Sequence, residues 1–338
     1  MSHLMQTFSQ PPNRTLVVIM GNLRGGERAW ETLQRNVLDP SMADLALIIG
    51  QLDEEELNDP LVNLKPSLID RSKFIWYFQE YKDWGYAVDL ISGTAWRENL
   101  LKLVHPANGP FGGVEGQDGS GAIIMMIRWF LTNHIIDFGL TKKYDKFVIT
   151  RSDHYYQCLH NVSEFPVGNK QVWIPPGSDY FGYTDRHLIV GNDDVLDALD
   201  IFPTFFRGEL ERPDRKLNPE KLIKQVWEKK GLKVNHFNRT MFTCALKTDT
   251  TRWRRASSPV PNVPCLRMKY INEYEMVQHN CPPIAPPNPS FTTTSTKTVE
   301  TVDCKERYRS KAMRRKCYTL QDAKRKRAKL ERTLGLTC

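Results

Sequence analysis

The hydrophobic pattern of the first fifty residues predicts two buried strands separated by a helix. Residues 16–20 and 43–50 are continuous apolar runs, LVVIM and ADLALIIG, of the kind found in strands that are covered on both faces. Between them, a glycine-rich turn precedes the helix-favouring residues 27–38. Strand, helix and strand at this spacing form a βαβ unit. The pattern therefore predicts an α/β fold with a mostly parallel sheet and helices on both sides.

The pattern continues as an alternation of strands and helices up to about residue 250. It includes a long apolar helix, AIIMMIRWFLTNHII, and a buried strand, FVIT, that ends abruptly in polar residues. The predicted elements, in chain order, are a short strand and a helix within 73–91, helices at 95–104 and 122–136, a strand at 147–150, two short strands at the ends of 170–191, a helix at about 219–230, and strands at 232–237 and 241–248.

The composition changes after residue 257, and this change predicts three parts. Residues 1–257 form the folded domain, and residues 258–300 carry the Pro- and Thr-rich stretches of a linker or a strap over that domain. Residues 301–338 are a basic tail that we expect to be helical only when something holds it. The tail has six Lys and seven Arg against four acids, so its net charge is +9. Because the net charge of the whole chain is +8, the first 300 residues together carry a net charge of −1. Bulk charge therefore favours an anionic partner for the tail, and it gives no support to nucleic-acid binding by the body.

Apolar runs and cysteines set expectations about the compartment. No apolar stretch approaches the roughly 20 residues that cross a bilayer, and the N-terminal residues lack a secretory signal. The seven cysteines are scattered without a Cys-x-x-Cys pair, which argues against a disulfide framework and a zinc ribbon. We therefore expect a cytoplasmic protein with reduced thiols and no transmembrane segment.

The turn MGNLRGG follows the first strand and is the first candidate site. It matches neither the dinucleotide fingerprint nor the phosphate-binding loop, and a tight turn is one reading of it. The other is a nucleotide site, in which Gly21, Asn22 and Leu23 offer backbone amides and Arg24 binds phosphate.

The segment DGSGAIIMMIRW places glycines before the long apolar helix. The bare N–H groups at such a helix start can bind a phosphate or a sugar hydroxyl, or Ser120 can simply cap the helix. Arg128 lies inside the apolar helix, and a buried guanidinium needs an anion. It therefore pairs with an acid or faces a ligand.

The polar end of FVITRSDHYY contains Arg151, Ser152 and Asp153. A carboxylate at the end of a central strand can hold a divalent cation on a diphosphate, but Ser-Asp is also ordinary turn chemistry. Both readings remain open from spacing alone.

The loop PPGSDYFGYTDRHLIVG is richer in rigid and polar residues than a connector needs. Its aromatic residues can stack on a sugar ring, and Asp179 and Asp185 can accept hydroxyl protons. Alternatively, Asp185 and Arg186 form an ion pair that braces the turn. Of the remaining histidines, His236 is read as structural or metal-binding, and His105, His134 and His160 receive no role.

Four of these segments together resemble glycosyltransferase-like proteins of the GT-A type from large DNA viruses of algae and from algae. The resemblance rests on MGNLRGGE, GSGAIIMMIRWFL, FVITRSDHYY and YFGYTDRHLIVG, and covers roughly residues 14–255. It implies a Rossmann-like GT-A fold, a UDP- or GDP-sugar donor, a glycan or glycoprotein acceptor, and a divalent metal, Mn²⁺ or Mg²⁺.

The resemblance also implies roles for individual residues. Asp153 falls on the metal-binding acid, the turn from Met20 to Arg24 on the nucleotide site, and Asp185 on the acid of the acceptor loop, with Arg186 beside it. Arg128, Arg151 and Ser152 complete the candidate donor site. Arg151 stands where many relatives of the fold have the first Asp of Asp-x-Asp, so it can take over part of the metal's charge.

These residues predict a nucleotide-sugar glycosyltransferase in which metal or arginine charge steadies the departing diphosphate. The alternative is a protein that binds polyanions or nucleic acid through its basic tail, on a transferase-like fold without activity.

Overall fold

The computed structural model describes residues 14–50, 67–92, 112–114, 119–177, 179–210, 217–247, 249 and 258–283. The helix predicted at 95–104, the end of the Pro-rich segment (284–300) and the basic tail (301–338) lie outside the described residues.

The first half of the domain forms β1 (Thr15–Met20), α1 (Gly26–Leu33), β2 (Asp44–Gly50), α2 (Ser67–Arg71), β3 (Phe74–Phe78), α3 (Gly85–Ser92), α4 (Gly121–Asp137), β4 (Lys146–Thr150) and β5 (His154–Tyr156). The second half forms β6 (Gln171–Ile174), β7 (Leu188–Gly191), α5 (Val195–Leu199), α6 (Ile201–Phe206), α7 (Pro219–Lys229), β8 (Lys233–His236), β9 (Met241–Leu246), β10 (Ser258–Pro259), β11 (Leu266–Met268) and α8 (Ile271–Asn280).

The main sheet has seven strands in the order β3-β2-β1-β4-β7-β6-β8. Strands β3, β2, β1 and β4 run parallel, and β7 is antiparallel to both of its neighbours. Strand β1 is central, because Val17 pairs in register with Leu45 on one side and Val148 on the other. The predicted α/β class with a mixed, mostly parallel sheet flanked by helices is therefore confirmed, and this architecture is compatible with a Rossmann-like fold.

Alternating side chains of the central strands supply two separate cores. Leu16 and Val18 face a layer built mainly from α3, α4, α5, α6 and α7. Val17 and Ile19 face α1 and a second sheet of four antiparallel strands, in the order β10-β11-β9-β5. The sequence predicted a strand at 241–248, but neither the strand His154–Tyr156 nor the sheet in which the two strands pair.

Residues 258–283, which we name the strap, are integrated into the folded body. Their strand β11 pairs with β9, and their helix α8 buries Glu273 and Val277 against the second sheet. The sequence assigned this segment to a linker or strap, and the structure shows that the body extends beyond residue 257 to at least Pro283. A Pro-rich composition prevents independent folding, but it does not prevent docking on an existing sheet.

The expectation of reduced thiols is wrong for Cys158 and Cys281, which form a disulfide. Their Cα atoms lie 5.6 Å apart although 123 positions separate them in the chain, so spacing gave no sign of the pair. Cys265 is also disulfide-bonded, whereas Cys244 is a buried free thiol. The cysteine argument for a cytoplasmic location therefore no longer holds. Among the described helices, none is long and apolar enough to span a bilayer.

Candidate functional site

A polar pocket of about 190 Å³ opens at the carboxyl ends of β1 and β4. The chain leaves β1 toward β2 on one side, while β4 lies on the other side, so the pocket is at a topological switch point of the sheet. Ligands of open α/β sheets bind at such points because the strand-end loops diverge there. The residues that line it include Gly21, Asn22, Arg24, Arg151, Ser152, Asp153 and Asp185, all of them predicted from the sequence.

The turn after β1 is tied directly to the turn after β4. The backbone N–H of Arg24 donates to Ser152 Oγ at 2.9 Å, and the Ser152 hydroxyl donates to the carbonyl of Asn22 at 3.0 Å. Gly21 has a φ of 90°, which favours glycine at this turn. Leu23 packs against the core beneath α1 and does not line the pocket. The tight-turn reading and the pocket reading of MGNLRGG are thus both consistent with the geometry.

Arg151 and Asp153 form a buried two-pronged ion pair. Arg151 Nε and Nη2 donate to the two carboxylate oxygens of Asp153 at 2.7 and 2.6 Å, and Asp153 is 1% exposed. Burial disfavours the ionised carboxylate, but the charge and hydrogen bonds of Arg151 outweigh it, so the pKa of Asp153 lies below its ordinary value. Asp153 is therefore an anion whose two oxygens are already engaged.

This pairing does not fit the predicted metal site. A divalent cation needs several oxygen ligands, whereas the one carboxylate of this strand end already accepts a hydrogen bond from Arg151 on each of its oxygens. Within the described part of the chain, no group of three or more His, Cys, Asp or Glu is placed to hold a metal ion. Arg151 supplies positive charge at this strand end, at the position where many relatives of the fold have the first Asp of Asp-x-Asp.

Arg128 is completely buried behind the pocket. Its Nη2 donates to the backbone carbonyl of Asp185 at 3.0 Å, whereas its Nε and Nη1 have no hydrogen-bond partner. Burial lowers the pKa of Arg128 to about 10, and the charge of Asp185 opposes that shift. Arg128 does not line the pocket, so its contact is with the loop that carries Asp185 and not with the cavity.

In the loop before β7, Asp185 and Arg186 point to different places. Asp185 lines the pocket, while Arg186 donates to Glu273 Oε1 at 2.9 Å and to the Tyr270 hydroxyl at 2.8 Å on the strap. The closest approach of Arg186 to the Asp185 carboxylate is 3.7 Å. Arg186 therefore anchors the loop, and Asp185 is the residue of the pair that can meet a ligand.

Two charged pocket residues, Glu80 and Lys269, were missed by sequence reasoning, and so was Gly50, which lies beside Asn22 and Glu80 without lining the pocket. A Cβ at Gly50 would lie 2.6 Å from Asn22 Oδ1 and 2.8 Å from Glu80 Oε1, so the missing side chain keeps two oxygen acceptors close together. Gly50 ends a buried strand and Glu80 follows the next one, which is a signal that could have been used. Lys269 belongs to the strap, and nothing in its local sequence points to the pocket.

Fold and site together define a Rossmann-like α/β protein with a polar, arginine-containing pocket at the switch point of its sheet. No protein-family model matches the chain, and no curated protein matches it.

Proposed function

We propose that this chain is a glycosyltransferase that binds a UDP- or GDP-sugar and transfers the sugar to a glycan or glycoprotein acceptor. The observation that carries the proposal is the convergence of Arg24 and Arg151 with the carboxylate of Asp185 in one pocket. Transfer from a nucleotide-sugar needs positive charge on the leaving diphosphate and an acceptor for the hydroxyl proton. Both kinds of group line this cavity.

Donor binding would begin at the two arginines. Arg24 follows β1 and Arg151 follows β4, so a diphosphate across the switch point would face both guanidinium groups. Gly119 and Ser120 at the start of the 17-residue helix α4 line the same cavity, where the helix N-terminus favours negative charge. Because the Asp153 carboxylate is neutralised by Arg151, it adds little repulsion toward a phosphate.

The nucleoside would lie toward Asn22, Gly50 and Glu80. Asn22 Oδ1 and Glu80 Oε1 are hydrogen-bond acceptors that approach the Cα of Gly50, an arrangement suited to the hydroxyl groups of a ribose. A volume of about 190 Å³ is below the roughly 300–1,000 Å³ of sites that enclose a whole drug-sized ligand. The pocket would therefore hold the diphosphate and part of the nucleoside.

Asp185 would accept the proton of the acceptor hydroxyl. It is 8% exposed and faces the cavity, and its backbone carbonyl is held by Arg128. Burial, followed by the charge of Asp185, raises the pKa of the neighbouring Glu220 to about 8. A protonated Glu220 adds no negative charge beside Asp185 at neutral pH.

Calorimetric titration with UDP, GDP, UDP-glucose and GDP-mannose tests the proposal. We expect one of the two bases to bind, and we expect Arg24→Ala to lower the affinity at least tenfold, since about 1.5–3 kcal/mol is typical of hydrogen bonds to charged groups. Arg24 is the better choice than Arg151, whose loss would leave Asp153 buried and unpaired. The control is Arg35→Ala, at an exposed arginine outside the pocket.

The same titration is repeated with manganese and with a chelator. Equal affinities would agree with charge supplied by arginine, whereas binding only with manganese would reinstate the metal predicted from the sequence. If none of the four ligands binds to the wild-type protein, the transferase proposal is wrong.

Gly50→Ala is expected to weaken binding of the nucleoside part alone. The new methyl group would contact Asn22 Oδ1 and Glu80 Oε1 at less than 3 Å and displace both acceptors from a ribose hydroxyl. We expect at least a tenfold loss of UDP or GDP affinity, with the affinity for inorganic pyrophosphate unchanged. Equal losses for both ligands would show that the substitution disturbs the whole pocket, and no loss would place the nucleoside elsewhere.

The basic tail supports a second, separate candidate function. Thirteen of the residues 301–338 are Lys or Arg, which favours salt-dependent binding to polyanions. A cut after Pro283 separates the two, because the strap belongs to the folded body. Nucleotide binding by the body supports the transferase. Polyanion binding by the tail, with no nucleotide bound by the body, supports the alternative.

A further inference from the structure

Among the described residues of the strap, Lys269 is the one whose side chain lines the pocket. It follows β11 directly, and its backbone N–H donates to the carbonyl of Thr243 on β9 at 2.9 Å. Its Nζ lies 4.8 Å from the ring centroid of Tyr270, whose hydroxyl is held by Arg186. The position of Lys269 is therefore fixed by the sheet that the strap extends.

Charged groups from three other elements lie near Lys269, and one of them is Glu220 on α7, whose pKa is raised to about 8. Arg151 and Asp153 come from the end of β4, and Asp185 and Arg186 come from the loop before β7. Burial is the largest influence on the lysine, followed by the two arginines, and these lower its pKa to about 7 against the opposing effect of the two aspartates. The Lys269 ammonium group therefore lies near two guanidinium groups. Arg151 is paired with Asp153, and Arg186 is paired with Glu273.

The arrangement has a chemical use if the ligand is an anion. Arg151 lines the pocket and shares its charge with Asp153, whereas Arg186 does not line it and shares its charge with Glu273. Lys269 adds a third cationic side chain to the lining of the cavity, beside those of Arg24 and Arg151. A phosphate that entered the cavity would add negative charge next to its Nζ.

We infer that Lys269 is a phosphate-binding residue of the pocket and that the strap supplies it to a site otherwise built from the strand ends of the main sheet. The inference rests on the proposed function for the identity of the ligand as a nucleoside diphosphate sugar. It adds a residue that the resemblance to known transferases did not indicate, on a segment outside the region that the resemblance covers.

A pH dependence follows from this role. When a diphosphate binds beside Lys269, it favours the charged ammonium, so binding is accompanied by proton uptake wherever the free lysine is neutral. Affinity is therefore highest below pH 7 and falls by up to about tenfold per pH unit above it. UDP-glucose and GDP-mannose are suitable probes, because their diphosphates are esterified at both ends and do not titrate near neutral pH.

The experiment compares the wild-type protein with Lys269→Met and Lys269→Arg by calorimetry between about pH 6 and pH 9. We expect the methionine variant to bind UDP-glucose or GDP-mannose at least tenfold more weakly at pH 6.5, with a smaller pH dependence that is due to Glu220. The arginine variant should lose less affinity than the wild type up to pH 9, because a guanidinium does not lose its proton there. Uridine and guanosine, which lack phosphate, should bind all variants equally.

Lys247→Met is the matched control. Lys247 is an exposed lysine just beyond β9 in the same small sheet, and it does not line the pocket. It should leave both the affinity and its pH profile unchanged. Urea denaturation of each variant separates a binding effect from a loss of folding, and we expect Lys269→Met to be at least as stable as the wild type because it removes a buried charge.

The inference is overturned if Lys269→Met binds the nucleotide-sugar as tightly as the wild type, with the same pH profile. That result would leave the proposed function standing. If no nucleotide-sugar binds the wild type but inorganic pyrophosphate does, and Lys269→Met weakens pyrophosphate binding while Lys247→Met does not, the phosphate role stands and the transferase proposal fails. If neither ligand binds the wild type, both are wrong.

Discussion

Replacing Glu273 by alanine is expected to lower the free energy of unfolding by about 3–5 kcal/mol. Glu273 is 0% exposed and holds two buried arginines, with its Oε1 at 2.9 Å from Arg186 Nη1 and 3.4 Å from Arg239 Nη1. Its Oε2 accepts the backbone N–H of Thr243 at 2.8 Å. Alanine would leave both guanidinium groups without this carboxylate, and charges buried without a partner are among the most costly defects in a protein.

The ligand site is expected to respond as well. Arg186 follows Asp185 directly, and Glu273 ties that arginine to the strap that carries Lys269. Loss of the Arg186–Glu273 ion pair should weaken nucleotide-sugar binding even under conditions in which the variant is still folded. Chemical denaturation gives the stability, and titration at low temperature gives the affinity.

Glu275→Ala on the same helix is the control, because Glu275 is exposed and surface changes of this kind usually alter stability by less than about 0.5 kcal/mol. The prediction fails if the two variants lose similar stability.

The pKa of Glu273 gives a further check. Burial raises it, but Arg239 and Arg186 outweigh burial and lower it to about 2. The stabilisation is therefore complete above the unfolded pKa of 4.5 and disappears as the pH falls toward 2.

Acidification from pH 6.5 toward pH 4 is expected to destabilise the protein by about 4 kcal/mol per pH unit. The cause is a buried cluster of three histidines, His154, His160 and His187, each 2% exposed or less. Ring centroids lie 5.2 Å apart between His160 and His187 and 6.4 Å apart between His154 and His187. The Nε2 atoms of all three have no hydrogen-bond partner.

Hydrogen bonds hold this cluster beneath the strand end that carries Arg151. Thr150 Oγ1 lies 3.2 Å from His154 Nδ1, 3.0 Å from His187 Nδ1 and 3.1 Å from the Tyr156 hydroxyl oxygen. A single hydroxyl donates one hydrogen, so these contacts are best satisfied by neutral imidazoles of which one accepts and one donates. Protonation would put a cation into a space arranged for uncharged rings.

The lowered pKa values of the three histidines also indicate that the folded protein favours their neutral forms. Burial lowers the pKa of His154 to about 4 and, with the charge of His154, lowers that of His160 to about 3. Burial, His160 and His154 place the pKa of His187 well below its ordinary value. The unfolded chain binds protons below pH 6.5 that the folded chain excludes, so stability falls as the pH decreases. Each histidine contributes about 1.4 kcal/mol per pH unit. Together they amount to about 10 kcal/mol between pH 6.5 and pH 4, which is comparable to the typical stability of about 5–15 kcal/mol.

His160→Phe separates this effect from general acid denaturation. His160 packs against the rings of Phe165 and Phe237, with centroids 5.4 and 4.8 Å away, so a phenyl ring suits the same space. We expect the slope of stability against pH between about 6.5 and 4 to fall by about one third, measured from urea midpoints. The control is His279→Gln at an exposed position. Identical slopes for the wild type and His160→Phe would show that the cluster does not govern acid stability.

Much of the main sheet was predictable because its strands carry a strong local signal. The runs LVVIM, ADLALIIG and FVIT became β1, β2 and β4, and the helix predicted at about 219–230 became Pro219–Lys229. Continuous apolar stretches of this length have few alternatives to a doubly covered strand. The second sheet was not predicted, because β5, β10 and β11 have only two or three residues each and exist through long-range pairing.

The candidate site was predicted where its residues follow strand ends. Gly21 to Arg24 and Arg151 to Asp153 come together because parallel strands β1 and β4 finish at the same edge. Arg186 was expected at the catalytic centre, but its partners Glu273 and Tyr270 lie more than 80 positions away in the chain. No local pattern could reveal which way its side chain points.

The sequence by itself determined that this protein is an α/β fold with polar groups at the ends of β1 and β4, because hydrophobic runs and strand-end residues are local properties. Only the tertiary structure decided that Asp153 is bound by Arg151, that the strap brings Lys269 to the pocket, and that Cys158 meets Cys281. The last two depend on contacts between residues more than 100 positions apart. The first depends on the direction of two neighbouring side chains, which burial and charge fix only after the chain has folded.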